Sequence, residues 1–230
     1  MPRFMLDTNI CIYLMKNQPE QVAERFAACY VGEVVMSAIT HAELEYGVAV
    51  SASRARERRN LAALIEDIPV VSFDAAAAGA YGPIREATRE RKKDHLDKLI
   101  AAHAVGLDAV VVTNNERDFA VYPGVKLENW LYDLSSSRGM FNLKILTDLQ
   151  APAQATILDG WQRSMQNALT QKGAAYDRKA DVRLGGEIQA LNSLLSLLKT
   201  TAPTLRRQDA GAGKKLADCL AALKEAGFAS

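Results

Sequence analysis

Ala109-Val110-Val111-Val112-Thr113 constrains the fold more than any other stretch of this chain. It is an unbroken run of small and β-branched residues, without the polar alternation of a half-exposed strand. A strand of that kind is buried on both faces, which is the habit of parallel sheets covered by helices. Shorter runs repeat the theme at Phe4-Met5-Leu6, Val34-Val35-Met36 and Pro69-Val70-Val71-Ser72-Phe73. Segments of helical spacing lie between them. Ile10, Ile12, Tyr13 and Leu14 mark one helix, Ser37-Ala38-Ile39-Thr40 opens a second, and the basic run Arg54 to Arg59 lies on a third. Ala75 to Arg91 reads as a long helix interrupted at Gly82-Pro83, and Asp97 begins another through Leu99, Ile100 and Val105. Strands alternating with helices predict an α/β sandwich with a mainly parallel sheet.

The pattern changes after Trp130. Ser135-Ser136-Ser137-Arg138-Gly139 is polar and turn-rich, so residues 131–139 are expected to be a linker. Residues 140–230 then read as an all-α extension. Its helices run from about Ala153 to Gln171, from Val182 to Lys199 with Pro203 beyond, and from Lys214 to Ala226 closed by Gly227. Leu184, Ile188, Leu191, Leu195 and Leu198 form one apolar stripe, as a small helical bundle requires. Met140 also resembles the start of a second reading frame joined to the first. The extension is expected to be an accessory interaction domain or such a fusion.

With 230 residues the chain has room for one large domain or two small ones. Its formal net charge of +1 makes no global case for nucleic-acid binding, so any such case is local. Residues 1–130 carry 15 Lys and Arg against 18 Asp and Glu, whereas 131–230 carry 13 against 9. The first part is therefore acidic, in keeping with a metal-binding centre. Three cysteines without a CxxC pair or a histidine at ligand spacing argue against a zinc site or a disulfide scaffold. No apolar run approaches a membrane span, and Asp7 comes too early for a signal peptide. A cytoplasmic protein is expected.

Four acids sit where apolar segments end: Asp7, Glu43, Asp97 and Asp118. In an open parallel sheet, ligands bind beyond the carboxyl ends of the strands, and Asp7 and Asp118 follow two of those ends. Gathered carboxylates repel one another unless a cation shares the site, and a divalent metal suited to phosphodiester hydrolysis is the natural candidate. Each acid also has a plainer reading. Asp7 caps a helix well, Glu43 suits an exposed helix face, and Asp97, three residues after a capping Asp94, suits a capping box. Asn114 and Asn115 are turn formers, and Asn115 equally suits positioning a water or phosphate oxygen. Glu116 is the alternative fourth acid. His103, in a small-residue run, reads as a buried, hydrogen-bonded histidine. A phosphotransferase of the haloacid dehalogenase kind also begins strand-Asp, but wants a second Asp where Asn9 stands.

Taken in order, Met5-Leu6-Asp7-Thr8-Asn9, Ser37-Ala38-Ile39-Thr40, Glu43-Leu44-Glu45-Tyr46-Gly47, Leu96-Asp97-Lys98-Leu99-Ile100-Ala101-Ala102-His103-Ala104, Val112-Thr113-Asn114-Asn115-Glu116-Arg117-Asp118-Phe119, Pro123-Gly124-Val125 and Glu128-Asn129-Trp130 resemble the VapC toxins. These are PIN-domain ribonucleases of type II toxin–antitoxin systems, and the resemblance covers residues 1–130. It implies an α/β/α PIN fold and Mg²⁺- or Mn²⁺-dependent endoribonuclease activity, with structured RNA such as tRNA as the favoured substrate. It further implies a homodimer and inhibition by a VapB-type antitoxin. The family's acids fall on Asp7, Glu43, Asp97 and Asp118, with Asp7 and Asp97 as direct metal ligands. Thr8, Ser37, Thr113 and Asn115 would position the ligands or the phosphate. This chain departs from the family in two places. Lys92-Lys93-Asp94-His95 stands where the family often carries glycine and a small residue or proline, and the chain continues for 100 residues past Trp130.

On this reading RNA is held by phosphate contacts from Arg54, Arg58, Arg89, Arg91, Lys92 and Lys93, each of which also suits a solvated helix face. Two rivals remain: a non-catalytic binding protein, whose acids are caps and surface charges, and a hydrolase of small phosphate esters.

Overall fold

The computed structural model describes residues 2–131, 141, 143–146, 149–179, 182–226 and 228, leaving out the side chains of 171–179 and 182–186. It resolves into two compact units, residues 1–131 and 132–230.

The first unit is a five-stranded, wholly parallel sheet in the order β3-β2-β1-β4-β5. Its strands are β1 (Phe4–Leu6), β2 (Val34–Ser37), β3 (Val70–Val71), β4 (Val110–Val112) and β5 (Lys126–Glu128). Around them come α1 (Thr8–Lys16), α2 (Glu20–Ala27), α3 (Ala38–Val50), α4 (Arg54–Asp67), α5 (Ala75–Ala87), α6 (His95–Gly106) and α7 (Glu116–Phe119). The sequence-based α/β expectation holds. β1 lies at the centre, with Leu6 level with Met36 on one side and Val112 on the other. All three residues of β1 and of β4 are buried, as the unbroken apolar runs require. Phe4, Leu6, Val34, Met36, Val110 and Val112 share one core with Ile10 and Cys11 of α1, Leu44 and Val48 of α3, and Leu61 and Leu64 of α4. Burying each such side chain contributes about 1.5–3 kcal/mol, so this core is the main anchor of the carboxyl edge. Met5 and Val111 point the other way by strand alternation. Arg25 of α2 ion-pairs with the buried Glu128 of β5 and lies 5.9 Å from the Trp130 ring centre, tying α2 to the sheet's edge.

Several elements differ from their sequence-based bounds. β3 shrinks to Val70–Val71. α5 runs through Gly82-Pro83 without interruption, because the carbonyl that Pro83 leaves without a donor, that of Gly79, is on the exposed face and open to water. α2, α7 and β5 are additions, all short; β5 has a single inward leucine and no apolar run to announce it.

The second unit holds a 3-10 turn (Leu143–Leu146) and three helices: α8 (Ala151–Lys179), α9 (Val182–Arg207) and α10 (Ala212–Glu225). α8 packs along α9, and α10 packs on α9. Leu191, Leu195 and Leu198 of the expected stripe are buried, Ile188 is half-buried, and the side chain of Leu184 lies outside the described residues. Trp161 stacks on Phe141 with ring centres 4.6 Å apart. α9 does not stop at Lys199 but carries Pro203 inside it; Lys199, to whose carbonyl Pro203 offers no N–H, is again exposed. Apart from Leu131, the expected linker 131–139 lies outside the described residues, as does Met140. Among the described residues no helix is long and apolar enough to cross a membrane.

Candidate active site at the carboxyl edge of the sheet

The ends of β2, β1 and β4 lie side by side, so Ser37, the last residue of β2, meets Asp7 and Thr113, which follow β1 and β4, at one edge. Asp7 both caps α1 and faces this edge. Its Oδ1 accepts the Thr8 backbone N–H at 2.7 Å, and its Oδ2 accepts the Thr113 hydroxyl at 2.9 Å. The Thr113 oxygen in turn accepts the Asn115 N–H at 2.9 Å, which fixes the turn into α7. Asp7 is 4 % exposed. Burial drives its pKa up to about 6, with the Glu43 charge adding to the rise and the bonds from Thr113 and Thr8 opposing it.

Glu43 projects from the second turn of α3, where the Thr8 hydroxyl donates to its Oε2 at 2.5 Å. Asp97 sits in the first turn of α6. Its pKa is pushed to about 7, first by burial and then by the charges of Asp7, Glu43, Asp118 and Asp94. Acids from three other segments, and Asp94 from its own, therefore act on one carboxyl. Among the described residues neither a cation nor a hydrogen-bond donor is paired with Asp97.

Asp118, on α7, is held differently. Arg91 Nη2 lies 2.7 Å from its Oδ1, and Arg91 Nε lies 2.8 Å from Asp94 Oδ2. The Tyr122 hydroxyl donates to that same Asp94 oxygen at 2.8 Å. Lys98 Nζ stands 2.8 Å from Asp94 Oδ1, within full Coulomb reach though off the direction of a good hydrogen bond. Burial works against the Asp94 charge, but Lys98, Tyr122 and Arg91 outweigh it and hold the carboxyl below the usual range. Asp94 stands at the N-cap of α6 as expected, yet its side chain caps nothing and serves these ion pairs instead.

The other expected residues divide. Ser37 is fully buried; its oxygen accepts the Ile39 N–H at 3.1 Å and bonds His103 Nδ1 at 2.9 Å, so it shapes the pocket wall. His103 is buried and hydrogen-bonded, as its setting suggested. Asn115 is the N-cap residue of α7. Glu116, the alternative fourth acid, is 3 % exposed, and its Oε2 accepts from Asn129 Nδ2 at 3.1 Å. Of the basic residues, Arg54, Lys92 and Lys93 are exposed. Arg58 is paired with Glu45 at 2.6 Å, Arg89 with Glu90 at 3.3 Å, and Arg91 with two acids. Lys98, Tyr122 and the role of Arg91 escaped the sequence reading; the four-residue spacing from Asp94 to Lys98 was the one available signal.

Among the described residues no trio of His, Cys, Asp or Glu side chains closes on a common point as a protein-only metal cage would. Mg²⁺ does not need one, since it is held by one or two carboxylates and keeps several waters. Hard, crowded, undercompensated oxygens on Asp7 and Asp97 fit such an ion. Beside the acids a groove of about 250 Å³ extends between α1, α3 and α4, lined by Thr8, Ile12, Glu43, Leu44 and Val48 among others.

Comparison with known proteins places this architecture. The PIN domain pattern matches residues 4–125. The tRNA(fMet)-specific endonuclease VapC of Shigella flexneri is 39 % identical over 132 residues, 56 % of this chain and 99 % of that protein. Ribonuclease VapC2 of Rickettsia felis is 32 % identical over 130 residues, 55 % of this chain and 97 % of its own length. Among solved structures, the DNA-bound VapBC of Salmonella typhimurium matches with a TM-score of 0.53 at 39 % identity, covering 56 % of this chain and 99 % of that one. VapBC-1 of nontypeable Haemophilus influenzae matches with a TM-score of 0.51 at 34 % identity, covering 56 % and 98 %. These relatives are matched along nearly their whole length while almost half of this chain has no counterpart in them. Fold, acid edge and relatives agree: the chain belongs to the PIN-domain family, among the VapC ribonuclease toxins of type II toxin–antitoxin systems.

Proposed function

We propose that residues 1–131 form a metal-dependent endoribonuclease that hydrolyses RNA phosphodiester bonds, with tRNA as the substrate class. The observation that carries this reading is Asp97, half-buried within Coulomb reach of Asp7, Glu43 and Asp118 from three other segments and, among the described residues, paired with no cation. Asp7 and Asp97 would hold Mg²⁺ or Mn²⁺, Asp7 being aimed by Thr113 and Thr8. When bound, such an ion polarises the phosphoryl oxygen and lowers the pKa of a bound water from about 16 towards 7. Glu43, steadied at Oε2 by Thr8, has Oε1 to take the proton of the attacking water. Arg54, Lys92 and Lys93 supply exposed charge for the RNA backbone, so binding weakens steeply with salt. The tRNA assignment follows the activity named for the Shigella relative, and an antitoxin partner follows the VapBC complexes. The apolar groove beside Thr8 and Glu43 offers that partner a seat next to the pocket. A homodimer is part of the same reading.

Asp7→Asn and Asp97→Asn are each expected to lower Mg²⁺-dependent cleavage of tRNA by at least about 100-fold with an unchanged circular-dichroism spectrum. Retained cleavage in either variant overturns the assignment. Preference for p-nitrophenyl phosphate over RNA would point instead to a small-ester hydrolase.

A further inference from the structure

Arg91 is unusual in being fixed at both ends. Its carbonyl accepts from the buried Lys98 Nζ at 2.5 Å, and Lys98 also takes the Thr88 carbonyl at 3.0 Å. The segment that joins α5 to α6 is thus clamped from beneath by a lysine that is 1 % exposed. The side chain of Arg91 is held by Asp94, which is itself held by Lys98 and the Tyr122 hydroxyl, and its ring-facing side lies 5.9 Å from the Tyr122 ring centre. From this mount the guanidinium reaches Asp118. A surface arginine that met an acid by chance would not need such a foundation.

We infer that Arg91 is a positioning residue that occupies the fourth-acid corner of the pocket, keeping Asp118 out of metal ligation and leaving room for a single divalent cation at Asp7 and Asp97. This rests on the metal-dependent reading above and refines it. Among the described residues no cation pairs with Asp7 or Asp97, while Asp118 already has its positive charge in Arg91. A second divalent ion at Asp118 would have to displace the guanidinium from two acids, or sit against it and be repelled. Lysine at position 91 would keep the charge but not the two-acid fork.

Counting bound Mn²⁺ by electron paramagnetic resonance on the full chain, freed of metal and titrated at neutral pH, tests this. One Mn²⁺ per chain is expected for the native protein and for Arg91→Lys, rising towards two in Arg91→Gln. Asp118→Asn is expected to keep the single site with affinity within about threefold of native, whereas Asp97→Asn loses it. A native count of two, an unchanged count in Arg91→Gln, or loss of the site in Asp118→Asn overturns the inference and leaves the nuclease reading standing. A native count of zero overturns both. Should Arg91→Gln fail to fold by circular dichroism, the Asp118→Asn titration decides by itself.

Discussion

Asp97 shows at the scale of one residue what the pocket costs the fold. Its carboxyl is raised from an ordinary 3.8 to about 7, and that of Asp7 from 3.8 to about 6. Both hold their protons more tightly folded than unfolded, so their contribution to stability is complete below about pH 4 and is lost as the pH rises through 6 and 7. The metal-free protein is therefore expected to melt at progressively lower temperature from pH 5 to pH 8. Millimolar Mg²⁺ or Mn²⁺ should flatten that slope, and Asp97→Asn should raise the metal-free melting temperature at pH 8 by a few degrees. Differential scanning fluorimetry across pH, with and without metal, reads all three effects. A flat metal-free profile would count against crowding of the acids. The individual residues were only partly legible beforehand. Asp7 satisfies both of its rival readings at once, because a helix cap at the end of a central strand is also a pocket wall. Lys98 was not legible, since a lysine beside Asp97 reads as solvated until folding buries it under the α5–α6 connection.

The junction of α5 and α6 is the element on which the acid edge leans. Gly106, in the last turn of α6, lies so close to α5 that a Cβ there would stand 2.9 Å from the Ala77 nitrogen and 3.0 Å from the Ala76 carbonyl carbon. Backbone cannot swing aside as a side-chain tip can. Gly106→Ala is thus expected to destabilise the protein by about 1–3 kcal/mol in urea denaturation, by pushing the two helices apart. Lys98→Met acts on the same junction from the other end. It leaves the half-buried Asp94 with Arg91 and Tyr122 but one cation fewer, at a cost of about 1–3 kcal/mol, and Lys98→Met with Asp94→Asn should recover part of that loss. At this scale the periodic elements were readable and the aperiodic ones were not. β4 and β1 announce themselves by apolar runs, and α3 and α6 by their spacing. β5, Lys-Leu-Glu, carries no such pattern and becomes a strand only because β4 offers it an edge. Prolines misled twice for one reason: Pro83 and Pro203 each free a carbonyl that lies on an exposed turn, where losing a bond to water costs little. Convergence of the acids lay beyond spacing altogether, because strand order, not chain order, brings Asp7 beside Thr113.

At the scale of the whole chain, the unit 1–131 coincides with the length of the VapC relatives, and 132–230 is a second body of helices. A polypeptide ending at Leu131 is expected to fold by itself and to cleave RNA within about threefold of the full chain, measured as initial rates at equal Mg²⁺. Loss of folding on truncation would make the helical unit part of the nuclease rather than an appendage. The central place of β1 has one more outcome. β1 cannot complete its hydrogen bonds until β4, about a hundred residues later in the chain, arrives to flank it. Asp118 and β5 emerge later still. A product that stops before β5 is accordingly expected to be inert, and any message cut short within the first 128 codons would deliver no finished acid edge.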